Sequence, residues 1–214
     1  MKVILFGSTG MVGQGVLREC LRDPDVTEVI AVTRSASGQA DPKLREIVHR
    51  DFTDFSSLQL DGDACFWCLG VTSAGMSEAD YTRITHDFTL AAARALVRPT
   101  MTFIFVSGTG ADGKAMWARV KKRTEEALSA MPFKAVYVFR PGMIQALHGI
   151  KSRTRLYNVL YPVLSPLILA ARWITPGFVT TTERVGQAML RTAKKGYPKK
   201  LLENPDINAA ATGN

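Results

Sequence analysis

The feature that most restricts the fold is a glycine motif at the end of the first apolar run. The run Lys2–Phe6 has the composition of a buried strand, and Met11–Leu21 has the periodicity of a helix. The GxxGxxG motif that joins them consists of Gly7, Ser8, Thr9, Gly10, Met11, Val12 and Gly13. Glycines at this spacing permit a tight turn, close approach of a pyrophosphate to the backbone, and close packing of helix on strand. The motif predicts a strand–turn–helix unit that binds a dinucleotide at the helix N-terminus.

Short apolar runs alternate with longer helical patterns, which is typical of an α/β fold with a Rossmann-type, doubly wound parallel sheet. The predicted strands are Lys2–Phe6, Glu28–Thr33, Glu46–His49, Ala64–Cys68, Thr102–Ser107 and Ala135–Phe139. The clearest predicted helices are Met11–Leu21, Ser77–Leu96, Lys114–Ala130 and Thr182–Lys195. Since no repeat or linker divides the chain, we expect a single domain over residues 1–214.

The alternation stops after the sixth predicted strand, and residues 150–178 form a mixed apolar segment interrupted by prolines. We expect this segment to be a small substrate region or lid over the carboxyl edge of the sheet. Its longest uncharged stretch, residues 156–171, is shorter than a membrane-spanning helix requires. A weak contact with a membrane surface remains an alternative, because arginines stand on both sides of that stretch.

Positive charge is concentrated in the second half of the chain. Residues 111–214 hold 17 Lys and Arg against 6 Asp and Glu, whereas residues 1–110 hold 10 against 13. This imbalance favours anionic ligands. Nucleic acid is not expected as a partner, because no zinc-finger spacing, RNP-like aromatic motif or recognition-helix signature accompanies the charge. A small-molecule substrate is expected instead, and the oligomeric state is left open.

Three cysteines, Cys20, Cys65 and Cys68, do not suggest a secreted disulfide framework. Cys65 and Cys68 have CxxC spacing, but in a strand an offset of three sends the side chains to opposite faces. We expect buried structural thiols and no metal site, with redox or metal use as the alternative. The first residues lack the pattern of a secretory signal peptide, so a cytoplasmic location is expected.

The end of the second predicted strand indicates which dinucleotide binds. Sites that prefer NAD usually place Asp or Glu here, to accept hydrogen bonds from the adenosine ribose. This strand instead runs through Thr33 into Arg34. A guanidinium cannot accept those bonds, but it can pair with a 2′-phosphate. The sequence therefore favours NADP(H), with an ordinary solvated charge at Arg34 as the alternative.

With these motifs, the sequence resembles the atypical short-chain dehydrogenase/reductase superfamily, an NAD(P)-binding group that includes nucleoside-diphosphate-sugar epimerase-like proteins. The resemblance covers about two thirds of the chain and is carried by the glycine motif, Arg34 and the residues that follow the third to sixth strands. It implies adenine contacts at Asp51 and Phe52. It also implies ribose and nicotinamide contacts at Cys68, Leu69 and Gly70, and a carboxamide contact at Arg140, Pro141, Gly142 and Met143.

Active members of that superfamily have a serine after the fifth strand and a YxxxK motif on the next helix. The resemblance implies that Ser107 takes the serine position and that Lys121 binds the ribose. Trp117 stands where the general acid/base tyrosine is expected, and an indole does not titrate usefully near neutral pH. Tyr81 and His148 are alternative proton donors, because both follow carboxyl ends of predicted strands; for each, a structural role remains open.

Two functions remain open at this point. One is an NADP(H)-dependent oxidoreductase or epimerase-like enzyme that acts on an unidentified carbonyl or hydroxyl substrate. The other is a non-catalytic NADP(H)-binding regulatory protein, since Trp117 replaces the expected tyrosine.

Overall fold

The computed structural model describes residues 1–150, Gly177 and residues 179–213. The predicted lid, residues 150–178, therefore lies almost entirely outside the described residues. In the described part, seven parallel strands form one sheet in the order β3-β2-β1-β4-β5-β6-β9, and β7 pairs with β8 in a separate two-stranded sheet. The strands are β1 (Lys2–Phe6), β2 (Glu28–Thr33), β3 (Leu44–Val48), β4 (Ala64–Trp67), β5 (Thr102–Val106), β6 (Ala135–Arg140), β7 (Met143–Gln145), β8 (Val179–Thr181) and β9 (Leu201–Glu203).

Helices cover both faces of the sheet. They are α1 (Met11–Arg22), α2 (Glu78–Thr82), α3 (Phe88–Leu96), α4 (Met116–Ser129), α5 (Thr182–Lys195) and α6 (Asn204–Thr212), and a π-helical turn, Arg83–Asp87, joins α2 to α3. One buried cluster joins the sheet to α1, α5 and α6, and a second joins its other face to α3 and α4. Because both faces are covered, the central strands are continuous apolar runs, as predicted.

The strand order creates the place where a ligand can bind. From β1 the chain builds outward through β2 to β3, and it then returns to pair β4 with the other side of β1. The connections at the carboxyl ends of β1 and β4 therefore diverge and leave a crevice. In open parallel sheets ligands bind at this switch in strand order.

Helices α1 and α5 approach each other closely because glycines face the contact. A methyl group at Gly15 would lie 2.6 Å from Cβ of Thr182, and one at Gly186 would lie 2.8 Å from Cγ of Glu19. Any side chain at these positions would push the helices apart. The glycines thus let α5 cover the same face of the sheet as α1.

Several predicted boundaries move, and four elements were not predicted. The third strand runs over Leu44–Val48 rather than Glu46–His49; it is a half-buried edge strand with a weak apolar pattern. The fourth and fifth strands end one residue earlier than predicted, and the sixth extends to Arg140. The unpredicted elements are β7, β8, β9 and α6. Each of these strands has three residues, too few for a periodic pattern to be visible.

The described residues contain neither a candidate membrane-spanning helix nor a candidate metal site. None of their helices is both long and apolar enough to cross a membrane. No group of three or more His, Cys, Asp or Glu side chains among them is arranged to hold a metal ion.

Candidate functional site

A cavity of about 300 Å³ opens at the carboxyl ends of β1, β2 and β4. It is the crevice that the switch in strand order creates. The strands bring the glycine turn, the end of β2 and the loop after β4 to one place. The lining residues are Gly7, Ser8, Thr9, Gly10, Val32, Thr33, Arg34, Phe52, Cys68, Leu69, Gly70, Val71 and Thr72.

The glycine turn is held in a shape that only glycine permits. Gly7 has φ of +78°, and a Cβ there would lie 2.6 Å from the carbonyl carbon of Cys68. A Cβ at Gly13 would lie 2.0 Å from the Gly7 carbonyl oxygen, so α1 packs directly against the turn. Both positions are therefore required by the fold itself.

Gly10 is different, because its Cβ position is nearly free of the protein. It adopts an ordinary φ of −82° as the N-cap of α1, and an added Cβ would meet only the Gly7 carbonyl oxygen at 3.3 Å. No side chain caps α1. The first turn of α1 also holds no acidic residue, so the positive end of the helix dipole faces the cavity without a carboxylate from the helix itself. Met11, Val12 and Gly13 begin the helix and do not line the cavity.

Two buried hydroxyl groups in the cavity lining make no hydrogen bond to the described residues. Ser8 is 3% exposed and Thr33 is 5% exposed, and Oγ of Ser8 and Oγ1 of Thr33 both lack a partner. Buried polar atoms in folded proteins are normally hydrogen-bonded. Their position at the mouth of the glycine turn and at the end of β2 provides polar groups for a ligand.

Arg34 stands beside Thr33 at the rim of the cavity. Its side chain is exposed, and among the described residues it forms no ion pair. Next to it is a smaller apolar slot of about 60 Å³. The slot is lined by Arg34, Phe52, Leu69, Val71, Ile84 and Phe88.

Asp51 does not join this site. Its carboxylate accepts hydrogen bonds from the backbone and hydroxyl of Thr53, at 2.9 and 2.5 Å, and these bonds lower the pKa of Asp51. The carboxylate stabilises a turn in its own loop. Of the two residues predicted to contact adenine, only Phe52 reaches the cavity.

Cys68 lines the cavity, but its thiol is not activated. Burial raises the pKa of Cys68, and it raises those of Cys20 and Cys65 as well. All three are free thiols. The geometry fits packing groups rather than reactive ones.

The residues predicted at the ends of β5 and β6 form a buried polar network. The hydroxyl of Ser107 donates to a carboxylate oxygen of Glu125 on α4. The guanidinium of Arg140 donates to the same carboxylate at 2.5 and 3.1 Å and to Asp112 at 2.5 and 3.2 Å. The side chains of Arg140 and Glu125 are only 4% and 6% exposed. The pKa of Asp112 is lowered by the adjacent Arg140.

This network corrects two expectations. Arg140 is not available for a carboxamide contact, because its side chain is directed at carboxylates inside the protein. Ser107 has one hydroxyl proton, and because that proton is donated to Glu125 the hydroxyl cannot also donate to a carbonyl. Pro141, Gly142 and Met143 lead away from the cavity lining into β7, and the Gly142 amide donates to Oδ1 of Asn204 at 3.0 Å.

Lys121 and Trp117 lie one turn apart on α4, as predicted. Nζ of Lys121 is 3.4 Å from the carbonyl oxygen of Val106 and 5.6 Å from the centre of the Phe105 ring. Burial lowers the pKa of Lys121 to about 8, and the nearby Glu125 opposes this shift. The indole of Trp117 lies beside Gly110 in the loop after β5.

The alternative proton donors lie elsewhere. Tyr81 is 2% exposed within the helical layer, and burial raises the pKa of its phenol. Nε2 of His148 lies 2.6 Å from Oε2 of Glu183, at the start of α5. Within the described residues, no hydrogen bond joins either one to Ser107 or Lys121.

Some residues at the cavity were not found by sequence reasoning. They are Val32, Thr33, Val71, Thr72, Ile84 and Phe88. Thr33 immediately precedes Arg34, so the same strand-end argument applies to it. Ile84 and Phe88 are among the apolar residues that recur at three- and four-residue intervals in the predicted helix Ser77–Leu96. That spacing alone does not separate residues of the slot from residues of the core.

Comparison with solved structures identifies the fold. An oxidoreductase of the short-chain dehydrogenase/reductase family from Burkholderia thailandensis superposes with a TM-score of 0.69 at 15% identity, covering 100% of this chain and 93% of that one. UDP-glucuronic acid 4-epimerase from Bacillus cereus, solved in complex with NAD, gives 0.69 at 12% identity, covering 95% and 76%. The predicted Rossmann-type fold is confirmed, and these structures of short-chain dehydrogenase/reductase and epimerase enzymes share it.

Sequence comparison identifies the family. No protein-family model matches the chain. "Protein fmp52-1, mitochondrial" of Aspergillus terreus is 32% identical over 185 residues, covering 80% of this chain and 73% of that protein. The chain belongs to the FMP52 family. "Protein fmp52, mitochondrial" of Emericella nidulans is 34% identical over 155 residues, and the match spans 66% of each protein.

The expected cytoplasmic location is wrong, because these FMP52 relatives are named as mitochondrial. The expectation rested only on the lack of a secretory signal pattern. Such a pattern distinguishes secreted proteins from others and carries no information about organelles.

Proposed function

We propose that this FMP52-family chain binds NADP(H) in the cavity and uses it to transfer hydride to or from a carbonyl or hydroxyl substrate. The observation that carries the proposal is the uncapped glycine turn, which lies at the switch in strand order. Beside it are the hydroxyls of Ser8 and Thr33, which have no hydrogen-bond partner among the described residues. Solved structures with this fold include epimerases in complex with NAD. The relatives' names support a mitochondrial location.

The residues of the cavity suit the adenine, the pyrophosphate and the inner ribose of a dinucleotide. The backbone at Gly7–Gly10 and the N-terminus of α1 would hold the pyrophosphate, which has room because Gly10 lacks a side chain. The apolar slot between Phe52 and Phe88 would hold the adenine ring. The loop at Cys68–Gly70 would contact the ribose nearer the nicotinamide.

Preference for the 2′-phosphorylated form rests on Arg34. This guanidinium lies at the rim of the slot without an ion pair among the described residues, and the neighbouring hydroxyl of Thr33 has no partner. An unpaired guanidinium beside a free hydroxyl suits a phosphate group. The guanidinium cannot accept the ribose hydrogen bonds that the carboxylate typical of NAD sites accepts.

When bound, the nicotinamide would supply or accept the hydride. The chain would have to orient the substrate and exchange a proton with its oxygen. Ser107 can accept a hydrogen bond but not donate one while its proton is held by Glu125. The hydroxyl therefore suits an alcohol substrate better than a carbonyl.

A second function, a non-catalytic NADP(H)-binding regulator, is supported by Trp117. The indole replaces the group that exchanges the proton in the resembled enzymes, and it cannot take that role. The two functions share the cofactor site and differ only in turnover.

The test combines binding with turnover. NADPH fluorescence titration measures binding, and loss of NADPH absorbance with hexanal, benzaldehyde and cyclohexanone measures reduction. We expect both signals from the wild-type protein. Binding without reduction would favour the regulator, and the absence of NADPH binding would refute both functions.

Trp117→Tyr separates the two functions further. If the indole alone silences a competent site, this variant should gain reduction by about 10²–10⁴-fold, the usual contribution of a general acid. If the wild type already reduces aldehydes and Trp117→Tyr does not accelerate it, another group supplies the proton.

A further inference from the structure

Most polar groups at the carboxyl ends of β5 and β6 form hydrogen bonds with one another. Glu125 accepts the Ser107 proton and two hydrogen bonds from Arg140. Arg140 also binds both oxygens of Asp112. Together with the 3.5 Å hydrogen bond from Arg140 to Glu203, these bonds leave neither Ser107 nor Arg140 with a proton for a substrate.

The ammonium group of Lys121 uses fewer of its hydrogen-bond donors than Ser107 and Arg140 use. It has three N–H donors, and its single hydrogen bond within the described residues is the 3.4 Å contact to the carbonyl oxygen of Val106. No carboxylate of the described residues forms an ion pair with it, because Glu125 is turned to Ser107 and Arg140. The Phe105 ring lies against its inner side, 5.6 Å from Nζ.

The side chain also lies at the edge of the sheet on which the cavity opens. Val106 is the last residue of β5, two strands from β1, and its carbonyl group marks the carboxyl edge of the sheet on which the cavity opens. Lys121 is one turn beyond Trp117, the position of the absent tyrosine.

We propose that Lys121 itself is the proton donor to the substrate oxygen, in place of the missing tyrosine. The proposal rests on the proposed function, because it needs a hydride donor in the cavity. The carbonyl carbon gains a hydride from the reduced nicotinamide, its C=O π bond breaks, and the oxygen takes a proton from Nζ of Lys121. The products are an alcohol, the oxidised nicotinamide and a neutral amine, which recovers a proton from water.

The proton affinity of Lys121 suits this role. Burial lowers its pKa to about 8, whereas a solvated lysine stays protonated far above neutral pH. Reduction requires the protonated form, so its rate should fall as the pH rises through about 8. Oxidation of an alcohol requires the neutral amine and should rise over the same interval.

Other charged groups face α4, and their titration must be distinguished from that of Lys121 in the pH dependence of the rate. They include Glu125, Arg140 and Glu203 in the network, and two ion pairs, Asp112 with Lys122 at 3.7 Å and Glu78 with Arg119 at 2.8 Å. His86 also faces α4, with its Nδ1 3.1 Å from Oγ1 of Thr124. The pKa of Asp112 is lowered by Arg140, and that of His86 is lowered by burial and Arg123. Both of these groups therefore titrate well below pH 8.

The test compares Lys121→Arg with Lys122→Arg, a matched change at the next residue, whose side chain is 49% exposed. Arginine keeps the positive charge but does not release a proton near neutral pH. We expect Lys121→Arg, which keeps a cationic donor for the ribose that the resemblance assigns to this position, still to bind NADPH in the fluorescence titration. It should lower the rate of hexanal and benzaldehyde reduction by about 10²–10⁴-fold and abolish the fall in rate near pH 8. Lys122→Arg should match the wild type in all three.

A second measurement does not depend on turnover. Lysines labelled with ¹³C-methyl groups are titrated by NMR in the protein without cofactor. One resonance should titrate near pH 8 and be absent from Lys121→Arg. If every lysine resonance titrates above about pH 10, as solvated lysines do, the proposal is overturned.

The outcomes distinguish this proposal from the proposed function. Failure of the wild type to bind NADPH would overturn both. Binding by the wild type with equal reduction by Lys121→Arg would overturn the role of Lys121 alone. Binding without reduction of any aldehyde would also overturn that role and leave a cofactor-binding protein. Lys121→Met, which removes the charge as well, should lose reduction too; unchanged reduction in that folded variant would contradict the proposal directly.

Discussion

The buried Glu125 carboxylate links three elements, and its removal should be costly. It accepts hydrogen bonds from Ser107 at the end of β5 and from Arg140 at the end of β6, while itself belonging to α4. In Glu125→Ala the Arg140 side chain, only 4% exposed, loses its buried partner. The buried hydroxyl of Ser107 loses its acceptor at the same time.

The loss in the free energy of unfolding depends on which partners Arg140 keeps in the variant. Breaking a buried ion pair by removing one partner costs about 3–5 kcal/mol, because a buried charge is left uncompensated. Here Arg140 keeps Asp112 at 2.5 Å, but that carboxylate is 63% exposed and gives only partial compensation. The orphaned Ser107 hydroxyl adds about 1 kcal/mol. We expect Glu125→Ala to lower the free energy of unfolding by about 3–5 kcal/mol.

Urea unfolding followed by circular dichroism measures this loss, provided that the slope of the free energy against urea is unchanged. The control is Glu78→Ala, which removes the Glu78–Arg119 pair; both of its side chains are more than half exposed. That variant should lose only about 0–1 kcal/mol. If Glu125→Ala loses no more than the control, the network does not stabilise the fold as argued.

Three further predictions concern the turn, the cofactor preference and acid stability. Gly10→Ala should fold but bind NADPH at least about tenfold more weakly than the wild type. Gly13→Ala should lose about 3 kcal/mol or more of the free energy of unfolding, because its Cβ would lie 2.0 Å from the Gly7 carbonyl oxygen. Equal stability of the two variants in urea unfolding would contradict this difference. Arg34→Ala should weaken NADPH binding by about 5- to 150-fold and leave NADH nearly unchanged in parallel titrations; equal losses would mean a structural role. Arg140 lowers the pKa of Asp112, so this pair stabilises the fold at a pH above the unfolded pKa of the carboxyl and stabilises it less as the pH falls. The free energy of unfolding of Asp112→Asn should therefore decline less than that of the wild type between about pH 5 and pH 2. An equal decline in both proteins would contradict a stabilising role of the pair.

The first half of the chain could be predicted well from the sequence because its signals are local. The strand, glycine turn and helix at residues 2–22 depend on neighbours in sequence, and Arg34 follows β2 directly. Parallel pairing then brings these separate strand ends together. Phe52 and the Cys68–Gly70 loop, which the resemblance predicted as cofactor contacts, line the same cavity.

The ends of β5 and β6 could not be predicted in the same way. Whether Arg140 faces a ligand or a carboxylate depends on Glu125, 15 residues earlier on a helix, and on Asp112 in a loop. Nothing in the sequence around Arg140 indicates those contacts. The short strands β7–β9 have the same limitation, because each exists only through a partner distant in the chain.

The central claim is that the cavity at the ends of β1, β2 and β4 binds NADP(H). Calorimetric titration of the purified protein with NADPH, and separately with NADH, tests it most directly. We predict a single saturable site with tighter binding of NADPH, and loss of that preference in Arg34→Ala. No heat of binding with either dinucleotide, or equal affinity for both that is unaffected by Arg34→Ala, would contradict the account.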